Sequence, residues 1–157
     1  MMNMDAPHLS HAFPMSSHAE LHGPVTTATI RIEHAAIWTR DLERMRAFYE
    51  RYFGARANER YASRNTPGFT SYFLRFPGDG ARLELMSWPA LADAAPAPAV
   101  GWAHLAIALG SRDAVDALAE RLRADGVRVL SGPRRTGDGY YEAVVEDPDG
   151  NHLEITV

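Results

Sequence analysis

IEHAAIW, residues 32–38, and WAHLAIA, residues 102–108, are one segment written twice, 70 positions apart. The same shift lays PGDGARLELM (77–86) on DPDGNHLEIT (147–156), matching Asp79 with Asp149, Gly80 with Gly150 and Leu83 with Leu153. His34 and Glu84 are therefore separated by 50 positions, and so are His104 and Glu154. Self-similarity at a fixed period marks a duplicated unit that buries its apolar face only by packing on a neighbour.

Both copies predict the same order of elements. Residues 30–38 read as a strand, β-branched and aromatic. Asp41 can cap a helix on which Leu42, Met45, Phe48, Tyr49, Tyr52 and Phe53 recur at helical spacing until Gly54 stops it. Strands are expected near 56–62, 69–77 and 81–88, the last two joined by the turn Pro77-Gly78-Asp79-Gly80. The second copy repeats this with a strand over 101–109 and a Ser111-capped helix carrying Val115, Leu118 and Leu122 to Gly126. Strands near 127–131, 140–147 and 151–157 follow, with Pro148-Asp149-Gly150 as the last hairpin turn. The expected fold is α+β: β-α-β-β-β modules at 29–90 and 100–157, an Ala/Pro linker at 91–99, and a mixed sheet curled around a shared cleft. Two arrangements satisfy such a repeat. The halves of one chain meet, or halves are exchanged between two chains.

Composition narrows the chemistry. All 16 basic residues are arginine, so no lysine is present for Schiff-base or general-base work. Cysteine is absent, which excludes disulfides, thiolate metal sites and a cysteine nucleophile. A net charge of −4 gives no general attraction to nucleic acid or to anionic lipid. No apolar run reaches the length that spans a bilayer. Residues 1–28, rich in Met, His, Pro and Ser, carry four of the seven histidines (His8, His11, His18, His22) at spacings that fit no rigid ligand pattern. They are expected to be a disordered extension without a signal peptide, and the protein to be cytoplasmic.

Side chains two apart on a strand share a face. If the first and last strands of a module are neighbours, each half presents one imidazole and one carboxylate, and the pseudo-two-fold brings the pairs together. His34, Glu84, His104 and Glu154 then offer two nitrogens and two oxygens to one divalent ion, a set that suits Zn, Ni, Co, Mn or Fe. Either pair alone reads as an ordinary strand histidine and a solvated glutamate. Recurrence of both pairs at one spacing favours the metal.

RIEHAAIWTRDLERMRAFYERYFGA, ARLELM, GWAHLAIAL and the terminal EDPDGNHLEI resemble the vicinal oxygen chelate superfamily, over residues 30–157. That superfamily includes glyoxalase I, extradiol dioxygenases, fosfomycin-resistance enzymes, methylmalonyl-CoA epimerase and bleomycin-binding proteins. Its fold is the paired β-α-β-β-β unit. The resemblance implies the glyoxalase I ligand set at His34, Glu84, His104 and Glu154. It also implies a lyase or isomerase that turns an α-keto aldehyde hemithioacetal into a 2-hydroxy thioester through an enediolate. Glu154 would be the mobile base and Glu84 its symmetric partner. A homodimer is implied as well, because half-exchange is common among relatives.

The resemblance has departures. Glutathione-dependent members carry Arg and Asn where this chain has Trp38 and Trp88, which offer stacking surface instead of carboxylate recognition. Further candidates for substrate contact are Arg82 and His152, each two residues from a ligand, and Arg134, Arg135, Tyr140 and Tyr141 beside the loop 137–139. The alternatives on this fold are an iron-dependent ring-cleaving dioxygenase, against which Glu84 argues, and a non-catalytic drug-binding resistance protein.

Overall fold

A computed structural model of the chain describes residues 30–92 and 100–157, in which Ile32–Val157 forms one compact unit. The His-rich stretch 1–28 and most of the expected linker lie outside the described residues. In chain order the first module is β1 (His34–Trp38), α1 (Leu42–Phe53), β2 (Arg56–Ala57), β3 (Tyr61–Ala62), β4 (Thr70–Arg75) and β5 (Arg82–Ser87). The second is β6 (Leu105–Ala108), α2 (Arg112–Ala124), β7 (Val129–Arg135), β8 (Tyr141–Glu146) and β9 (His152–Thr156).

Local chemistry sets the helix ends. The Asp41 side chain accepts from the Arg44 amide at 3.0 Å, and Ser111 Oγ accepts from the Ala114 amide at 3.2 Å. Each thereby satisfies a donor that the first helical turn leaves open. Gly54 ends α1 at φ 63°, a left-handed conformation that costs a glycine nothing.

In each sheet the module's first strand runs parallel to its last. The sheet orders are β1-β5-β4-β2, with β3 also on β4, and β6-β9-β8-β7. Parallel neighbours need a crossover, and the helix provides it. One sheet face is closed by that helix. Leu42, Met45, Phe48, Tyr49 and Phe53 of α1 are buried with Tyr72, Leu74, Leu83 and Leu85. Val115, Leu118, Ala119 and Leu122 of α2 are buried with Ala143, Val145, Leu153 and Ile155. The opposite faces carry the alternate residues, polar and apolar, among them Glu84 with Phe73 and Glu154 with Val144.

Side chains at the α1 side join the modules. Tyr52 Oη donates to Asp125 Oδ2 at 2.8 Å, and Arg51 pairs with the same carboxylate at 2.9 Å. Buried Tyr49 Oη lies 3.5 Å from Asp147 Oδ2.

Three differences from the expected elements have local causes. β1 starts at His34, which pairs with Arg82 at the start of β5. The strand expected at 56–62 is two short ones, since Asn58 bonds Phe73 with its own side chain and backbone, at 2.7 and 3.1 Å. β7 runs on to Arg135, so Arg134 and Arg135 belong to a bulged strand and not to a loop. The larger difference is that the two sheets stay separate within the chain. Among the described residues β1 and β6, the strands that would meet in one curled sheet, each pair on one side only.

Candidate metal centre

His34 opens β1 and Glu84 lies on β5, where the parallel register sets His34 beside Arg82 and Ala36 beside Glu84. His34 Nε2 stands 3.9 Å from Glu84 Oε2. The other ring nitrogen, Nδ1, is 2.5 Å from Glu33 Oε2. Arg82 also hydrogen-bonds Glu33. Hydrogen bonding with His34 foremost, then with Arg82, holds the Glu33 carboxyl below the ordinary carboxylate range. An ionised carboxylate only accepts, so Nδ1 is the donor, and Nε2 is the ring nitrogen on the side of Glu84.

The second module reproduces the pair. Glu154 on β9 is opposite Ala106 of β6, and His104 immediately precedes β6. His104 Nε2 is 3.3 Å from Glu154 Oε2. Two ligand atoms about 2.1 Å from a common ion stand roughly 3–3.5 Å apart. The His104 pair has that spacing at 3.3 Å, and the His34 pair is wider at 3.9 Å. This donor chemistry fits a divalent cation.

Within one chain, however, the pairs do not meet. Among the described residues no three His, Asp or Glu side chains gather around a point. His34 and Glu84 come together, His104 and Glu154 come together, and the four do not. Among the described residues β1 and β6 belong to different sheets and are not neighbours. Ile32 (73% exposed) and Trp102 (92%), equivalent in the repeat, stand uncovered just before the two histidines.

The expected substrate contacts fall in different places. Trp38 shares the open face of β1 with His34 and packs edge-to-face on Phe69 at 6.0 Å. Trp88 lies beyond the end of β5, so strand alternation does not place it with Glu84. Its indole N–H donates to the Pro67 carbonyl at 3.2 Å. Arg82, engaged with Glu33, also lies 4.2 Å over the Phe73 ring. His152 and Tyr140 are exposed, Tyr141 donates to Asp116 at 2.7 Å, and Arg134 reaches Glu142 at 3.3 Å. Sequence reasoning missed Glu33. The signal was an acid directly before one histidine, with Ala103 in the matching position.

Two cavities lie away from the pairs. One of about 710 Å³ separates α1 from the loops around Asp125 and Asp147, and one of about 360 Å³ lies beside Trp88, Arg60 and Gly68. Among the described residues no helix is long and apolar enough to cross a membrane.

Residues 31–155 match the family model of the Glyoxalase/Bleomycin resistance protein/Dioxygenase superfamily. The Pseudomonas aeruginosa protein PA2024 is 32% identical over 127 residues, 80% of this chain and 86% of that one. The trypanothione-dependent glyoxalase I of Leishmania major superposes with TM-score 0.65 at 23% identity, covering 82% of this chain and 86% of that one. A glyoxalase/bleomycin resistance protein/dioxygenase domain from Frankia gives TM-score 0.71 at 19% identity, over 83% and 98%. These two likenesses are of fold. With the family model spanning both His/Glu pairs, the chain belongs to the glyoxalase/bleomycin resistance protein/dioxygenase superfamily.

Proposed function

We propose that the chain is a metal-dependent lyase or isomerase of the glyoxalase I type, acting on a small oxygen-chelating substrate such as an α-keto aldehyde hemithioacetal. In this reading its centre is completed between two copies. The observation that carries the proposal is the repeated pair, Nε2 to Oε2 at 3.9 Å in one module and 3.3 Å in the other, on equivalent neighbouring strands.

One pair supplies two ligands, fewer than a tightly held Zn or Ni ion takes from protein. A second copy that exchanges halves would set His34 and Glu84 of one chain against His104 and Glu154 of the other. Edges β1 and β6, which pair on one side only among the described residues, and the uncovered Ile32 and Trp102 beside them support such an arrangement. When bound, the divalent ion supplies Lewis acidity toward the substrate's vicinal oxygens. The chain's own residues do the rest. Glu154, the more exposed of the two carboxylates (23% against 15%), is the base that moves a proton between adjacent carbons. Glu84 stays with His34. Trp38 offers a flat apolar wall on the same face for the part of the substrate that does not react.

The test combines metal content with turnover. Purified protein should hold about one Zn or Ni per chain and convert the methylglyoxal–glutathione adduct or a related hemithioacetal. Metal-free protein with an unchanged fold, or oxygen uptake with a catechol in place of isomerisation, would overturn it.

A further inference from the structure

The two halves of the centre are not equivalent. Behind His34 stands a charged clamp. Glu33 accepts from Nδ1 at 2.5 Å and is itself gripped by Arg82, whose guanidinium lies 4.2 Å over Phe73. Phe73 also meets the His34 ring edge-on at 5.3 Å. The imidazole is thus held at one nitrogen and on one side, and Nε2 is left pointing at Glu84.

The repeat removes each of these parts from the second module. Ala103 matches Glu33, and His152 matches Arg82. Val144, paired with Glu154 as Phe73 is with Glu84, takes the place of the aromatic ring. Ala103 and Val144 have no side-chain acceptor, and none of the three offers a carboxylate.

We propose that Glu33, anchored by Arg82, is a positioning residue that fixes His34 in the Nδ1–H tautomer and so makes the first module the preformed half of the metal centre. The inference rests on the metal-centre reading above. A ring hydrogen bond to an outer carboxylate fixes tautomer and orientation and raises the basicity of the coordinating nitrogen. Without Glu33 the ring must select both at the moment of binding. The His104 and Glu154 half lacks the clamp, which suits the half whose carboxylate moves a proton. Glu33 touches no substrate in this scheme, and it acts through His34.

The measurement is made first on the metal-free full-length protein. Long-range ¹H–¹⁵N correlation spectra at mildly alkaline pH report which nitrogen of each histidine bears the proton, with His34→Ala used to assign the signal. The wild type should show His34 as Nδ1–H and E33Q should shift it toward Nε2–H. Zn²⁺ competition with a chromophoric chelator should then show binding weakened about 10–100-fold in E33Q and largely restored in E33D. An Nε2–H His34 in the wild type overturns the proposal, as does a tautomer and affinity unchanged in E33Q while the wild type binds Zn²⁺. Failure of the wild type to bind Zn²⁺ at all overturns the underlying reading instead, and the tautomer spectra tell the two failures apart.

Discussion

His104 Nε2 and Glu154 Oε2 stand 3.3 Å apart although 50 positions separate them, because β6 and β9 are parallel neighbours across a helical crossover. His34 and Glu84 reach 3.9 Å by the same route. If Glu154 is the proton-moving member, Glu154→Gln should lower kcat by roughly 10²–10⁴-fold, within the usual worth of a positioned base. Glu84→Gln should act chiefly on metal affinity. Steady-state kinetics beside chelator titration separates the two, and an equal loss of kcat in both variants would contradict the division of roles.

Trp38 is half exposed on the His34 face and leans on Phe69. Trp38→Ala should leave stability within about 0.5 kcal/mol, as exposed substitutions usually do. It should raise KM for substrates with a bulky apolar group and leave small ones little changed. Denaturant melts and a substrate series check this.

Asp147 holds the last hairpin turn together. Its Oδ1 accepts from the amides of Asp149 and Asn151 at 3.0 and 2.9 Å, and its Oδ2 accepts from Asn151 Nδ2 at 2.8 Å. Asp147→Ala leaves these donors without a partner, at a cost of about 1–3 kcal/mol by urea unfolding. Burial raises the Asp147 carboxyl above its ordinary value of 3.8. A raised folded value means that the fold favours the protonated carboxyl, so the stability present below the unfolded value is lost as pH rises through the folded one. The advantage of wild type over Asp147→Ala should therefore narrow as pH rises from below 3.8 toward neutrality. A widening gap would contradict the assigned direction.

Leu83 and Leu153, equivalent in the repeat, are both buried in the core beneath the helices. Replacing either with Ala should cost about 2–5 kcal/mol, read from the shift in the denaturant midpoint. Equal losses in the two halves are expected, since the modules repeat the same sandwich of helix on sheet.

Much of this was legible because it depends on local chemistry repeated twice. Asp41, Ser111 and Gly54 announce the helix ends, and Leu83 and Leu153 fix which face of the last strand is inward. That phase puts Glu84 and Glu154 outward with the histidines. The shared cleft was not legible, since whether β1 and β6 meet depends on contacts between modules and between chains, which strand periodicity does not encode. Trp88 lies one residue past the end of β5, where strand alternation no longer assigns a face. Glu33 was visible only as an asymmetry, an acid against Ala103, and its meaning required the geometry of His34 and Arg82.

The central claim is that one ion is held by the first module of one chain and the second module of another. It is tested most directly by mixing two crippled variants, His34→Ala and His104→Ala, unfolding and refolding them together. In a half-exchanged dimer, half of the mixed dimers' centres draw both pairs intact, so chelator-resistant metal should return to about one quarter of the wild-type amount. Each variant refolded alone should hold none. No recovery on mixing, or full metal retention by either variant alone, would contradict the account.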